Sequence, residues 1–281
     1  LARIKAAPYA KRYEGGKAAP AAGVTGLILT LRHALRDLPL REWFKSNEGR
    51  RADLATWAEK AVGALLGIGR AALAMHKRKV EGNDKAAMEE QDQLGEEVAV
   101  DCRGHVVLSH EGVMSAEASN RATQRAVVGS WLTIKEVSLA LADTSASLPI
   151  GGGCKGDDRS GMLDLKLVGE MGDFLVKGLV ESVHNGALEA LAAGLQGLAT
   201  ALLKLTPGNP AFLLPKRWLS SLLGRLRAGG NALRWLRRST GAAHVVASLL
   251  LAESVNGGRS PMLDDALESL INLAKGVVDG A

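Results

Sequence analysis

The chain has 281 residues, of which 47% are hydrophobic and only 4% aromatic, and its formal net charge is +5. That is enough apolar material for one large core or a run of small helical units. Two distant cysteines, Cys102 and Cys154, exclude a disulfide framework, and no apolar run reaches the roughly 18 residues a bilayer span needs, Ala242–Ala252 coming nearest.

Alanine and leucine abound, and β-branched residues form no alternating runs, which favours helices over sheets. The mild positive charge is compatible with an RNA or phosphate partner without showing one. The cysteine usage suits a reducing, cytoplasmic setting. Leu1 in place of a starting methionine leads us to expect a piece of a longer protein.

Residues 1–20 are basic and small, with Arg3, Lys5, Lys11, Arg12 and Lys17 around Tyr9 and Tyr13. A frayed chain end is a better reading than an RNA-touching arm. Residues 21–80 predict a helical pair. Gly23–Lys45 carries Leu27, Leu29, Leu31, Leu35 and Leu38 and is bent or broken at Pro39. Asn47-Glu48-Gly49 is a turn signal. Ala52–Val80 carries Trp57, Val62, Leu65, Leu66, Ile68, Leu73 and Met75, and its end at His76-Lys77-Arg78-Lys79 places cations where a helix C-terminus favours them. Residues 81–114 turn acidic and glycine-interrupted, and predict a linker or irregular loop.

Residues 115–281 predict a regular helical domain. Its first helix, Ser115–Leu148, contains Val128, Trp131, Ile134, Leu139 and Leu141 on one apolar arc at about 100° per residue, with Lys135 inside that arc. A lysine there must snorkel, meet a carboxylate, or mark a surface that a partner covers. An internal network is the preferred reading, with Glu136 on Arg238 and Lys135 on Glu170 or Glu181; a partner-facing patch is the other. Pro149–Gly161, with three successive glycines, predicts a flexible loop. Then come helices around Leu167, Val168, Met171, Phe174, Leu175 and Leu179, and around Leu188, Leu191, Leu195, Leu198, Ala199 and Leu202. Pro215 opens a helix that buries Trp218, Leu222, Leu223 and Leu226, and Ser239 or Thr240 caps the next, His244–Glu253. The last takes Ser260 as N-cap and Pro261 at N1, with Leu263, Leu267, Leu270, Ile271 and Ala274 as its buried stripe. Successive helices with short breaks, and no clean internal repeat, predict an all-α fold: an irregular solenoid of antiparallel pairs or a helical bundle.

Catalytic signatures are weak. Gly151-Gly152-Gly153-Cys154-Lys155-Gly156 lacks the Gly-Lys-Ser/Thr ending of a phosphate loop, and no strand precedes it. Cys102, His105 and His110 are too few for a zinc site and read better as a turn with Asp101 and Arg103. An independent hydrolase or transferase therefore ranks last, with no metal and no cofactor expected. The basic run is more informative: Lys216, Arg217, Arg225, Arg227, Arg234, Arg237 and Arg238 occur without an acidic residue among them, interleaved with Trp218 and Trp235. Several arginines together suit a phosphate backbone. Solvated surface arginines are the stronger reading, and Trp218 falls on the apolar stripe, where a core role is preferred to base stacking.

Several motifs share one order. Trp131-x-x-x-Lys135-Glu136 resembles the Trp-x-x-x-Lys-Glu helix of the THADA family. Ser182-Val183-His184-Asn185-Gly186-Ala187 is similar to the family's Ser-x-His-Arg-Gly-Ala, Trp218-Leu219 to its Trp-Leu, and Arg237-Arg238-Ser239-Thr240-Gly241 to its Arg-Arg-Ser-Ala-Gly. Asp101-Cys102-Arg103-Gly104-His105 belongs with the set, and their collinear order spans roughly Asp101–Lys275. Asn185 departs from the family's arginine, and Ala242-Ala243-His244 from a Leu-Pro-Phe-like run.

The resemblance implies an armadillo/HEAT-like α-solenoid. It also implies a non-catalytic auxiliary subunit that positions tRNA for anticodon-loop ribose 2′-O-methylation by an FtsJ-type methyltransferase. S-adenosylmethionine would bind that enzyme and not this chain. The basic residues above would then contact RNA, while Trp131, Lys135, Glu136, His184, Trp218 and Ser239 would organise the fold or a subunit surface. The alternative is a protein–protein scaffold without RNA.

Overall fold

A computed structural model describes residues 21–93, 110–151, 161–182, 185–227, 240–257 and 260–279. Among these the chain is all-α; the single β-contact is an isolated parallel bridge between Ile150 and Leu163.

Helix α1 (Ala21–Asp37) stops just before Pro39, which has no N–H to donate, and α2 (Leu40–Ser46) starts directly after it. Arg51 then closes the end of α2. Its guanidinium lies 5.5 Å from the Phe44 ring centroid and donates to the carbonyls of Phe44 and Lys45 at 3.0 and 3.1 Å. A 3-10 turn (Glu48–Arg50) leads into α3 (Arg51–Gln93). This helix runs through the stretch whose acidity predicted a linker. Lys85-Ala86-Ala87-Met88-Glu89-Glu90-Gln91 are all good helix formers, and charge alone breaks no helix. Likewise α4 (His110–Ser147) begins earlier than Ser115.

Gly151 and Gly161 meet at the neck of the next loop. The Gly151 N–H donates to the Leu163 carbonyl at 2.9 Å, and a Cβ on Gly161 would lie 2.0 Å from the Gly151 nitrogen. Residues 152–160, the glycine-rich stretch with Cys154, lie outside the described residues. Asp164 caps α5 (Leu165–Glu181), its side chain accepting from the Leu167 N–H at 2.6 Å. There follow α6 (Asn185–Leu203), a 3-10 turn (Pro210–Leu213) whose N-terminus Asn209 caps, α7 (Leu214–Arg227), α8 (Gly241–Val255) and α9 (Pro261–Asp279). Thr240 precedes α8 without a side-chain capping bond, and Ser239 lies outside the described residues.

Helix contacts fall into two rows. In one, α4 packs on α1 and α6, and α6 packs on α8; in the other, α3 packs on α5, α5 on α7, and α7 on α9. The rows are joined where α3 meets α4 and α5 meets α6. The core between them is aliphatic: Leu65, Leu66, Ile134, Leu141, Met171, Leu175, Leu179, Leu191 and Leu195 are all fully buried. Small residues let α4 and α6 approach closely, since a Cβ on Gly194 would sit 2.8 Å from the Ser138 carbonyl oxygen and one on Gly197 2.8 Å from the Ala142 Cβ. Helix α6 meets the length and hydropathy of a membrane span, contrary to the reading of the sequence, yet half of that window is buried in the core. Neighbours α4, α5 and α8 surround it, so it is apolar on most sides.

Three expected faces differ. In α1, Ile28 and Leu35 are buried while Leu27 and Leu29 are exposed, as is Leu38 just after the helix. In α4 the expected arc is divided: Ile134 and Leu141 are fully buried with Val137, whereas Val128, Trp131, Lys135 and Leu139 form a half-open strip. In α9 the expected stripe is inverted: Met262, Ala266 and Ser269 are buried, whereas Leu263, Leu267, Leu270 and Ile271 are exposed. Hydrophobic spacing marks two apolar arcs on this helix, and only packing decides which one α7 covers.

Candidate functional site

Helix α7 carries the basic run on a scaffold of leucines. Leu214, Trp218, Leu219, Leu222, Leu223 and Leu226 face the core, which turns Lys216, Arg217, Arg225 and Arg227 outward. Trp218 is 7% exposed, and its ring packs against α5 where Gly172 leaves room; a Cβ there would come within 1.8 Å of the ring. It is a core residue, as its place on the stripe predicts, and it offers no face for stacking on a base.

The cations divide between two flanks. Lys216 bridges to Asp265 of α9 at 2.8 Å, and Arg227 donates to the Ser269 hydroxyl at 2.5 Å. Together with Ser220 and Glu268 they line a cleft of about 250 Å3 between α7 and α9. Two carboxylates on its far wall make that flank a poor seat for phosphate. Arg217 and Arg225 point away from α9, at about 100° and 180° round the helix from Lys216. Arg234, Arg237 and Arg238 lie outside the described residues, as does His184.

The Trp131–Glu136 motif sits on α4, in the middle of the first row. Glu136 is 8% exposed, and its partner is Arg32 of α1 at 3.2 Å. The same guanidinium holds Asp143, one α4 heptad further on, at 2.6 Å. Arg238, the partner expected for Glu136, lies outside the described residues. The expected partners of Lys135 are also engaged elsewhere, Glu170 with Arg70 and Glu181 with Lys177. Lys135 itself is half-buried on the open strip and makes no ion pair among the described residues.

Burial alone would lower the Arg32 pKa, but the hydrogen bonds and charges of Asp143 and Glu136 outweigh it and raise the pKa above its ordinary value. A raised cation contributes its full stabilisation below the unfolded pKa and loses it only as pH climbs through the folded one. The tie between α1 and α4 therefore holds from acid to strongly alkaline pH on the arginine side.

Sequence reasoning missed Arg32 and Asp143. The signals were available: Glu136 and Asp143 lie seven residues apart on one helical face, and Arg32 follows Ile28 by four on the buried side of α1. It also missed Glu253, whose two carboxylate oxygens accept the N–H groups of Met262 and Leu263 at 3.0 and 3.2 Å and so cap α9 from α8. No group of three or more metal-ligating side chains converges among the described residues; Cys102 and His105 lie outside them.

Two rows of packed helices with a cationic outer helix thus define an all-α protein. A family model described as THADA/TRM732, DUF2428 matches residues 65–280, and the chain belongs to this family. Among curated proteins, it is 32% identical over 153 residues to the tRNA (32-2'-O)-methyltransferase regulator THADA of Homo sapiens, covering 54% of this chain and 8% of that protein. The same-named proteins of Chlorocebus aethiops and Gallus gallus are 31% and 28% identical over 153 residues, with the same coverage. The matched segment is therefore about 8% of the length of these relatives. No solved structure matches the chain.

Proposed function

We propose that this chain serves a non-catalytic regulator of tRNA methylation, one that positions tRNA for an FtsJ-type enzyme acting on an anticodon-loop ribose 2′-hydroxyl. The carrying observation is the family match over residues 65–280, with relatives named as regulators of a tRNA (32-2'-O)-methyltransferase. In this reading the two rows of helices are a stretch of irregular armadillo/HEAT-like solenoid, a fold that offers long surfaces for large ligands. S-adenosylmethionine and the bond chemistry belong to the enzyme, and this chain needs no cofactor of its own. Its contribution is orientation and effective concentration, exerted in the cytoplasm.

The phosphate-contacting set in this reading is Arg217 with Arg234, Arg237 and Arg238. Lys216 and Arg227 drop out of it, because α9 already engages them. Measuring tRNA binding against salt tests the reading. Each phosphate contact steepens the log–log slope by about 0.7 to 0.9. Arg217→Glu combined with Arg234→Glu, Arg237→Glu and Arg238→Glu should abolish tRNA binding and leave helical circular dichroism unchanged. Binding unaltered by that reversal would end the RNA assignment and favour the second reading, a protein–protein scaffold. The Lys216–Asp265 bridge supports that alternative, since it shows part of the basic run spent on packing. Capture of a methyltransferase without tRNA by the natural protein would point the same way.

A further inference from the structure

The open strip of α4 lies inside the first row and not at either end of it. Thr133 and Glu136 face α1, Ser138 and Ala142 meet Gly194 and Gly197 of α6, and Val137 meets Gly69 of α3. On the side that remains, Val128, Trp131, Lys135 and Leu139 fall within an arc of about 80°. Val128 is 48% exposed, and Trp131 and Leu139 are half-open. Both neighbouring places in the row are already filled, by α1 and α6. Lys135 sits in the middle of the arc and forms no ion pair among the described residues. The carboxylates on its own helix, Glu136 and Asp143, are both held by Arg32. On α6 the exposed Glu189 makes no ion pair among the described residues, and on α1 the exposed Arg36 pairs with Asp37. An RNA backbone needs several cations at once, and a single lysine with a carboxylate on the next helix does not supply them. A cation set among apolar side chains gains most from a carboxylate that arrives with apolar neighbours and excludes water.

We propose that this strip docks the partner methyltransferase, through a surface segment that sets an aspartate or glutamate among aliphatic side chains. The carboxylate meets Lys135, and the aliphatic groups pack on Val128, Trp131 and Leu139, a tryptophan being among the side chains that carry most binding energy at interfaces. The proposal rests on the reading of the chain as a methyltransferase regulator and gives that reading a docking face. Helix α7, with Arg217, belongs to the other row, so enzyme and tRNA occupy different faces.

Photocrosslinking in the full natural polypeptide tests it. A benzophenone amino acid in place of Val128, irradiated with the purified FtsJ-type methyltransferase and, separately, with tRNA, should form an adduct with the enzyme. Lys135→Glu should lower enzyme affinity, and with it the adduct, at least about tenfold, because it sets like charges against each other in the interface. Helical circular dichroism and tRNA affinity should stay unchanged, and Lys135→Arg should retain most of the enzyme binding. Equal enzyme affinity in Lys135→Glu would overturn the proposal. So would enzyme binding without an adduct at Val128, or adducts confined to tRNA or to a second copy of the chain. A natural protein that binds no methyltransferase at all would overturn the regulatory reading and the docking face together, so the failure of one is distinguishable from the failure of both.

Discussion

Arg32 shows how one side chain can decide whether a buried charge is tolerable. Its guanidinium serves both Glu136 and Asp143, and without it the Glu136 carboxylate would sit in a wall of α4 that is 8% exposed. Arg32→Ala should therefore cost about 3 kcal/mol in urea unfolding, near the lower end for an orphaned buried charge because the site is not fully closed. Adding Glu136→Gln should recover most of that loss; a double variant as unstable as Arg32→Ala alone would show that the arginine acts through packing. Trp218 and Gly172 form the second such contact. Gly172→Ala would drive a methyl group into the ring, and the expected cost is about 1–3 kcal/mol, read as a lower melting temperature with altered tryptophan fluorescence. The same substitution at Gly67, where nothing lies within 4 Å of the added carbon, should be neutral or slightly stabilising.

Helix ends explain most of what joins one element to the next. Glu253 binds two free N–H groups at the start of α9, an anion placed where the helix dipole is positive. Glu253→Ala should cost about 1–2 kcal/mol and loosen α9 first, seen as faster amide exchange of Met262 and Leu263 than of α6. Proline breaks and glycine turns were legible at this scale, because they act through local backbone geometry. The extent of α3 was not. Its acidic second half looks like a linker by charge, yet the same residues have high helix propensity, and a helix already nucleated continues cheaply.

Across the whole molecule, the division of the basic run depends on what stands opposite each side chain. Lys216 and Asp265 are both about half exposed, so their bridge is a weak tie. Lys216→Ala should change stability by less than about 1 kcal/mol and leave tRNA affinity unaltered. Arg217→Glu should weaken tRNA binding at low salt with no change in unfolding midpoint. Equal effects of the two on tRNA affinity would mean that the flanks of α7 are not distinguished by α9.

The sequence by itself determined the all-α class, the leucine-rich faces of α5, α6 and α7, and the burial of Trp218. Each follows from spacing along a single helix, a local property of the chain. It also held the motifs of the family. Only the tertiary structure decided that Glu136 answers Arg32, that α4 opens the strip around Lys135, and that α9 turns its smaller residues inward. Those outcomes depend on which neighbour reaches a given face first, and residues about 100 positions apart, such as Arg32 and Glu136, carry no mark of each other in their local periodicity. A helix with two apolar arcs can bury either; packing against α7 selected one and left the other exposed.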